Sequence, residues 1–497
     1  MISRRSLLAA APATAAGTLG LSACGGSGGS SPEGSLTWTG VFHTPTTPEP
    51  DGPIATALKE HSGIDFAVDW IADANKEEKV NTILASGSLT DISGLNPLTM
   101  PYARDALGSG LFWDVEEHLA DFEHLAAIDP KVVDGGRLGG VLYGVPHEGI
   151  LARYGVLVRK DWLDRLGLEV PHTIDELAVV AEAFTTGDPT GTGQQTVGIL
   201  DRAESFLWGF PEFAGYFGAG AFFELSPEGT VIPSFTTDAS KEAMEWYRDA
   251  YSKGWINQEF VTMQKTNQEQ AIAQDKGGIV FTALFAAQTF ANIADSINPD
   301  SEVEWALVND MTYGDVPRRI VSDTGGGMGG LMSFSTEALP TVEDLRRGLG
   351  LIDSLLAPEA LDLMTNGIEG THYEKDSDGA VTITDQPRWE KEVQPYAGIR
   401  PSSSTWYPST NAYSNLANEM MEENAQHAVV NIAQSLDSPT YDSRWATIEK
   451  AVQDGWNKYV TGALDMAGFE AVIDDQRKQG LDDVIAEYTE SYEQTVG

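Results

Sequence analysis

Val156-Leu-Val-Arg-Lys-Asp-Trp-Leu-Asp-Arg-Leu-Gly-Leu-Glu-Val-Pro-His-Thr-Ile-Asp-Glu-Leu177 is the stretch from which the chain is best read. Its end, Thr173-Ile-Asp-Glu176, is a capping box: the threonine hydroxyl accepts from the amide three residues on, and the glutamate reaches back to the threonine amide. The helix it opens carries an apolar stripe of Ile174, Leu177, Ala181 and Phe184, and Trp162 falls on a helical stripe that assigns it to packing. Outward from this block, strand-like and helix-like segments alternate. Ser35–Phe42 and Ile64–Trp70 read as strands, with a helix from Ile54 to His61 between them. Asp73 is expected to cap a helix bearing Val80, Ile83 and Leu84 and stopped by Gly87, and Asp91-Ile-Ser-Gly-Leu is strand-like. Asp238 is expected to cap a helix with Met244, Tyr247 and Tyr251 inward and Gly254 at its end. Thr341-Val-Glu-Asp344 opens another, striped by Val342, Leu345, Leu349, Ile352 and Leu356. Such alternation predicts an α/β architecture, and no repeat of solenoid length interrupts it.

The N-terminus reads as an export signal. Arg4-Arg5 precede a short apolar run, too brief for the ~20 residues of a spanning helix, and Leu21-Ser-Ala-Cys24 resembles the lipobox of bacterial lipoproteins. Residues 1–23 are therefore expected to be removed. Cys24, the only cysteine of 497 residues, would then be lipidated and hold the protein on the outer face of the cell membrane. The paired arginines also look like a twin-arginine signal, leaving Tat and Sec export both open. Gly25–Ser35 is a flexible tether. Loss of Arg4 and Arg5 takes the net charge from −43 to −45. A body this acidic repels nucleic acid and anionic headgroups, which excludes readers of phosphate backbones.

Five blocks resemble, in order, the extracellular solute-binding proteins (family 1) of carbohydrate ABC transporters, in their larger oligosaccharide-binding branch. They are Asn75–Ile92, with Thr90 where proline is usual; Gly140-Val-Leu-Tyr-Gly-Val-Pro146, with Val141 where lysine is usual; Val156–Leu177; Trp246–Asn257; and Gly367-Ile-Glu-Gly-Thr-His-Tyr373. The resemblance implies a two-lobe periplasmic-binding-protein-like fold with a hinge and an interlobe cleft. It implies a first lobe of 36–114 plus about 303–365 and a second of about 115–302 plus 366–497. It further implies a monomer that captures a carbohydrate ligand and delivers it to ABC permease subunits and, through them, to a cytoplasmic ATPase, with neither cofactor nor catalysis.

A sugar offers a face of C–H bonds to aromatic rings and a rim of hydroxyls to planar polar groups. On loops and strand ends the candidates are Trp38, His43, Trp70, Asn96, Arg153, Tyr154, Trp208, Trp406 and Tyr407; Trp246 and Trp255 are assigned to packing. Asp188-Pro-Thr-Gly-Thr-Gly-Gln-Gln-Thr lies where some relatives carry a calcium loop. Its ligand positions would be Asp188, Thr190, Thr192 and Ile199, so a single carboxylate remains and no metal is expected. Gly325-Gly-Gly-Met-Gly-Gly330 contains a dinucleotide-like glycine pattern, but Leu331-Met-Ser-Phe-Ser follows it where a helix should begin. Close backbone approach near the cleft or hinge is the better reading. Gly25-Gly-Ser-Gly-Gly29 is tether composition rather than a nucleophile elbow, and His147-Glu148 lacks the second histidine of a zinc motif. Two alternatives stay open: the same fold binding a non-sugar small molecule, and an exported glycoside hydrolase using two of the 74 acids.

Overall fold

The computed structural model describes residues 34–44, 46–97, 100–298 and 303–496; the signal peptide, Cys24 and nearly all of the tether lie outside them. In chain order the strands are Leu36–Phe42 (β1), Phe66–Ala72 (β2), Ile92–Leu95 (β3), Val145–Glu148 (β4), Tyr154–Arg159 (β5), Val197–Ile199 (β6), Phe223–Leu225 (β7) and Val231–Pro233 (β8). They continue with Gly277–Ala283 (β9), Trp305–Val308 (β10), Ile320–Val321 (β11), Met328–Phe334 (β12), Tyr373–Lys375 (β13), Val381–Ile383 (β14) and Ala428–Val429 (β15).

One sheet has the order β2-β1-β3-β12-β4 and another the order β10-β5-β9-β6. β1 runs parallel to β2, Leu36 opposite Phe66, and to β3, Trp38 opposite Ile92. β12 is antiparallel to both β3 and β4, so β4 points the same way as β1–β3. In the second sheet β5 is antiparallel to β9, Tyr154 opposite Ala283, while β6 is parallel to β9.

Local signals explain many helix starts. At Thr173 the Glu176 amide donates to the threonine hydroxyl at 3.2 Å and the Thr173 amide donates back to Glu176 at 3.1 Å; Thr341 and Asp344 form the equivalent box. Two caps differ from expectation. Asp73 lies in a short 3-10 turn, its carboxylate taken by Lys76 at 2.8 Å, and the helix begins at Lys76. Thr237 rather than Asp238 caps its helix, because Thr237 holds the extended backbone (φ −77°, ψ 157°) that aims its hydroxyl at the Ser240 amide. Val342, expected on the buried stripe, is exposed, whereas Leu345, Leu349 and Ile352 are fully buried.

Each sheet has its own core. Beneath the first pack Leu58, Ile92, Leu107, Val145, Phe334, Leu349 and Ile352. Beneath the second lies a cluster of rings around Phe210, Phe213, Tyr247, Phe260 and Trp456. Trp162 stacks edge-on against Phe184 in that core, and Trp255 is buried there with Trp246 packed beside it.

Core and sheet membership does not change at 114, 302 and 365. Val115, Leu119, Leu125 and Leu138 pack into the first core and β4 completes the first sheet, whereas β10 pairs with β5 in the second. Val393 and Tyr396 still belong to the first core. The chain passes between the sheets at 149–153, at 309–327 and at 400–411. The passages 149–153 and 309–327 are bound side by side, the Gly149 amide donating to Gly327 O at 2.6 Å and the Ser322 hydroxyl to Leu151 O at 2.5 Å, while the Glu148 amide at the end of β4 donates to Pro401 O at 3.1 Å and the Ser322 amide to Val429 O of β15 at 2.8 Å. The glycine run 325–330 serves this close approach. Gly326 and Gly327 take positive φ (63° and 99°), and β12, not a helix, begins at Met328. Beside the passages, Arg104 of the first core is nearly buried and donates to Asp442, Gln434 O and Leu436 O.

Candidate ligand-binding cleft

Because β1, β2, β3 and β4 share a direction, their C-terminal ends open onto one edge, which carries His43, Asp73, Asn96 and His147. In the second sheet the ends of β6 and β9 and the start of β5 share an edge. That edge presents Asp201, Arg202, Leu284, Phe285, Arg153 and Tyr154. Ligands of α/β sheets bind outside such strand ends.

The two edges face one another. Glu269, on the helix Lys265–Ala273 beside the second sheet, feels Arg202 on its own side and His43 and Asp73 across the gap. His147 feels Arg400 and Arg153, which lie on two different passages. Arg153 keeps 34% of its side chain exposed, yet burial is the first influence on its ionisation and on that of His147 and Arg400.

The expected site residues fall into three groups. Trp38 (2% exposed) is a core residue, because its position in β1 faces the helices of the first core, and Tyr154 (7%) is buried in the second. Neither ring stands open at the cleft. Trp70 is half-buried, edge-on to Tyr396 at 5.3 Å, and Trp208 is half-buried before the helix Phe210–Tyr216. The Tyr407 hydroxyl donates to Pro358 O at 3.4 Å, and burial pushes that phenol up to about 12.

Of the rest, His43 and Asn96 follow β1 and β3 at the strand-end edge of the first sheet. His43 lies 3.5 Å from Asp73. It is the main cause that holds the Asp73 carboxyl well below its usual range, with Lys76 adding and burial opposing. The Asn96 amide donates to Gly329 O at 3.0 Å. Trp406 is 43% exposed on the passage 400–411.

Arg153 is clamped onto Asp323, a carboxylate only 4% exposed, and its guanidinium lies 5.5 Å from the Tyr154 ring and 6.0 Å from Phe285. Burial opposes the Arg153 charge, but Asp323 outweighs it and holds the guanidinium pKa above its usual value. Behind the pair, burial and then the charge of Asp323 push Glu212 up to about 8, so this acid is largely protonated at neutral pH.

Sequence reading missed Phe285, His147 and Arg400. Phe285 (42% exposed) and Trp406 are the strongly exposed Phe and Trp side chains among the described residues. Nothing in Ala283-Leu-Phe-Ala-Ala marked the first. His147 was considered only for zinc. Here its Nε2 lies 3.3 Å from Ser403 Oγ, and burial, then Arg400, then Arg153, push it down to about 4, a neutral ring at physiological pH. Arg400 stood unremarked six residues before Trp406. At Asp188 the lone carboxylate is occupied by its own loop, accepting from Thr190 Oγ1 and the Gly193 amide at 3.1 Å.

Two α/β units joined by three adjacent passages, with strand ends facing across a gap, define a two-lobe fold of the hinge-and-cleft type. No protein-family profile matches the chain. It is 28% identical over 486 residues, 95% of this chain and 96% of the relative, to the polygalacturonan/rhamnogalacturonan-binding protein YtcQ of Bacillus subtilis (strain 168). It is 23% identical, over 90% of each chain, to lipoprotein LipO of the same organism. In fold it is similar to the ABC-transporter substrate-binding protein FusA of Streptococcus pneumoniae, solved with kestose. That match has a TM-score of 0.68 at 19% identity and covers 93% of this chain and 99% of that one. Over nearly its whole length the chain is thus similar in sequence to a saccharide-binding protein and a lipoprotein, and in fold to an ABC-transporter substrate-binding protein.

Proposed function

We propose that this protein captures a saccharide between its two lobes and presents the closed, loaded form to a membrane permease whose transport a cytoplasmic ATPase drives. The observation that carries this reading is the meeting of two strand-end edges from separate cores across passages that can act as a hinge. A ligand touching both edges is bound by the closed state in preference to the open one, and that difference is what a transporter can read. We place the lobe boundaries at the passages 149–153, 309–327 and 400–411. Trp406 and Phe285 are the stacking platforms, and His43, Asn96, Arg153 and His147 supply polar contacts. Relatives whose names state an activity are binding proteins, which favours capture over hydrolysis. Cys24 anchors the monomer to the outer face of the cell membrane through the tether.

The test is a thermal-shift screen of the purified protein against mono-, di- and oligosaccharides, with product analysis of every hit. A ligand bound only by the native state at 100 times its Kd stabilises by about 2.7 kcal/mol. An intact saccharide that raises the melting temperature supports capture; turnover of that saccharide refutes it, and silence across the panel points to a non-sugar ligand.

A further inference from the structure

Besides the passages, the lobes are joined by a buried contact built from side chains. Arg104 lies on the helix Pro101–Gly108, whose Ala103 and Leu107 belong to the first core, and is 6% exposed. Its guanidinium donates to three acceptors of the other lobe: Nε to Asp442 Oδ1 at 2.8 Å, Nη1 to Gln434 O at 3.0 Å and Nη2 to Leu436 O at 2.9 Å. Ala433, Leu436 and Tyr441, in the same segment, pack into the second core. Asp442 stands in the first turn of the helix Pro439–Val460, where a carboxylate is favoured and offsets the cation that the positive helix end would repel. The segment is held a second time. Gln434, 5% exposed, donates its side-chain amide at 2.6 Å to Gly135 O, on the helix Pro130–Gly136 of the first lobe. A Cβ on Gly325 would fall within the Gln434 amide, and one on Gly135 would strike the Gly325 carbonyl. Both lobes and the passage 309–327 therefore meet here at backbone contact.

We infer that this contact is the pivot of the lobe motion: Arg104, Gln434 and Gly325 keep their places while the strand-end edges swing. A rotation displaces atoms in proportion to their distance from its axis, and a contact that includes a residue of a hinge passage lies close to that axis. Hydrogen bonds weaken steeply with distance and misalignment, and drawing the lobes apart at this point would strip a nearly buried guanidinium of its carboxylate. A planar fork fixed on three acceptors also resists twisting, which a single ammonium would not. Arg104 thus acts as a positioning residue that sets the direction of closure. The inference rests on the reading of the passages as a hinge and adds to it a non-covalent element that fixes the axis.

The experiment is pulsed electron-spin distance measurement on the ligand-free chain carrying Cys24→Ser, with nitroxide labels on one of two cysteine pairs at exposed positions. Asp105→Cys with Ser443→Cys spans the Arg104 contact, and Ala74→Cys with Asn267→Cys spans the facing edges. The first pair is expected to give a narrow distance distribution and the second a broad one. Arg104→Ala should broaden the first to the width of the second, Arg104→Lys should fall between, and Arg346→Ala, which breaks a surface pair with Asp121 inside the first lobe, should change neither. Circular dichroism checks that each variant is folded. A first pair as broad as the second in otherwise unaltered protein overturns the pivot and leaves the hinge standing. So does a first pair that stays narrow in folded Arg104→Ala. Two narrow distributions, with no motion across the cleft, defeat both the pivot and the hinge reading.

Discussion

The two cores are built from different materials. Under the first sheet the packing is mainly aliphatic, with Leu58, Leu107, Leu345, Leu349 and Ile352 at its centre. Under the second, rings dominate: Trp456 lies 5.0 Å from Phe210, 5.8 Å from Tyr247 and 5.9 Å from both Phe206 and Phe260. Each ring buries roughly 150–250 Å² and gains from tilted or edge-on contact. The second core also holds polar groups, with the Tyr247 hydroxyl donating to Asp201 at 2.5 Å and Glu212 buried beside the hinge. The aromatic supply that suggested sugar stacking is therefore spent largely on one lobe's interior, and Phe285 and Trp406 are the Phe and Trp side chains left strongly exposed among the described residues.

The sharpest way to break this comparison is to delete one residue from each core. Trp456→Ala should cost about 3–5 kcal/mol in urea unfolding and Leu349→Ala about 2–5 kcal/mol, the former through a larger cavity. A Trp456→Ala protein with unchanged stability would show that the ring cluster is not the structural centre of its lobe. The second core should also be the pH-sensitive one. Glu212 keeps its proton in the folded state up to about 8, against an ordinary value of 4.5, so the unfolded chain binds fewer protons across that interval and stability falls as pH rises through it. The slope should approach about 1 kcal/mol per pH unit. Unfolding midpoints measured from pH 5 to 8 should flatten in Glu212→Gln, and an unchanged slope would remove Glu212 from the account.

Tyr247→Phe strips Asp201 of its tyrosine donor and should cost about 1–3 kcal/mol by the same unfolding assay. At the small end, Trp406→Ala should alter stability by no more than about 0.5 kcal/mol. Its effect should appear in saccharide affinity alone, read by calorimetry. A large stability loss there would make Trp406 a packing residue like Trp162.

Features decided within a few residues were legible in the sequence. The capping boxes at Thr173 and Thr341, the stripe Ile174, Leu177, Ala181 and Phe184, and the α/β alternation depend on contacts three or four positions apart. Caps at Asp73 and Asp238 were misread because the choice between adjacent polar residues rests on one residue's backbone angles. The site was less legible. Trp38 and Tyr154 sit at the strand positions expected, but the helices packed over each sheet decide whether a ring faces core or cleft.

The sequence by itself determined the order of strands and helices, the family resemblance and the acidity that excludes nucleic acid. It also determined the lipobox-like Cys24, which lies outside the described residues. Tertiary structure decided how the arginines are compensated. Arg153, favoured from the sequence, is neutralised by a carboxylate 170 residues away, whereas Arg400 meets the Ser402 carbonyl and the Thr365 hydroxyl and no carboxylate among the described residues. Charge compensation acts through space, and only the meeting of the three passages brings those groups together.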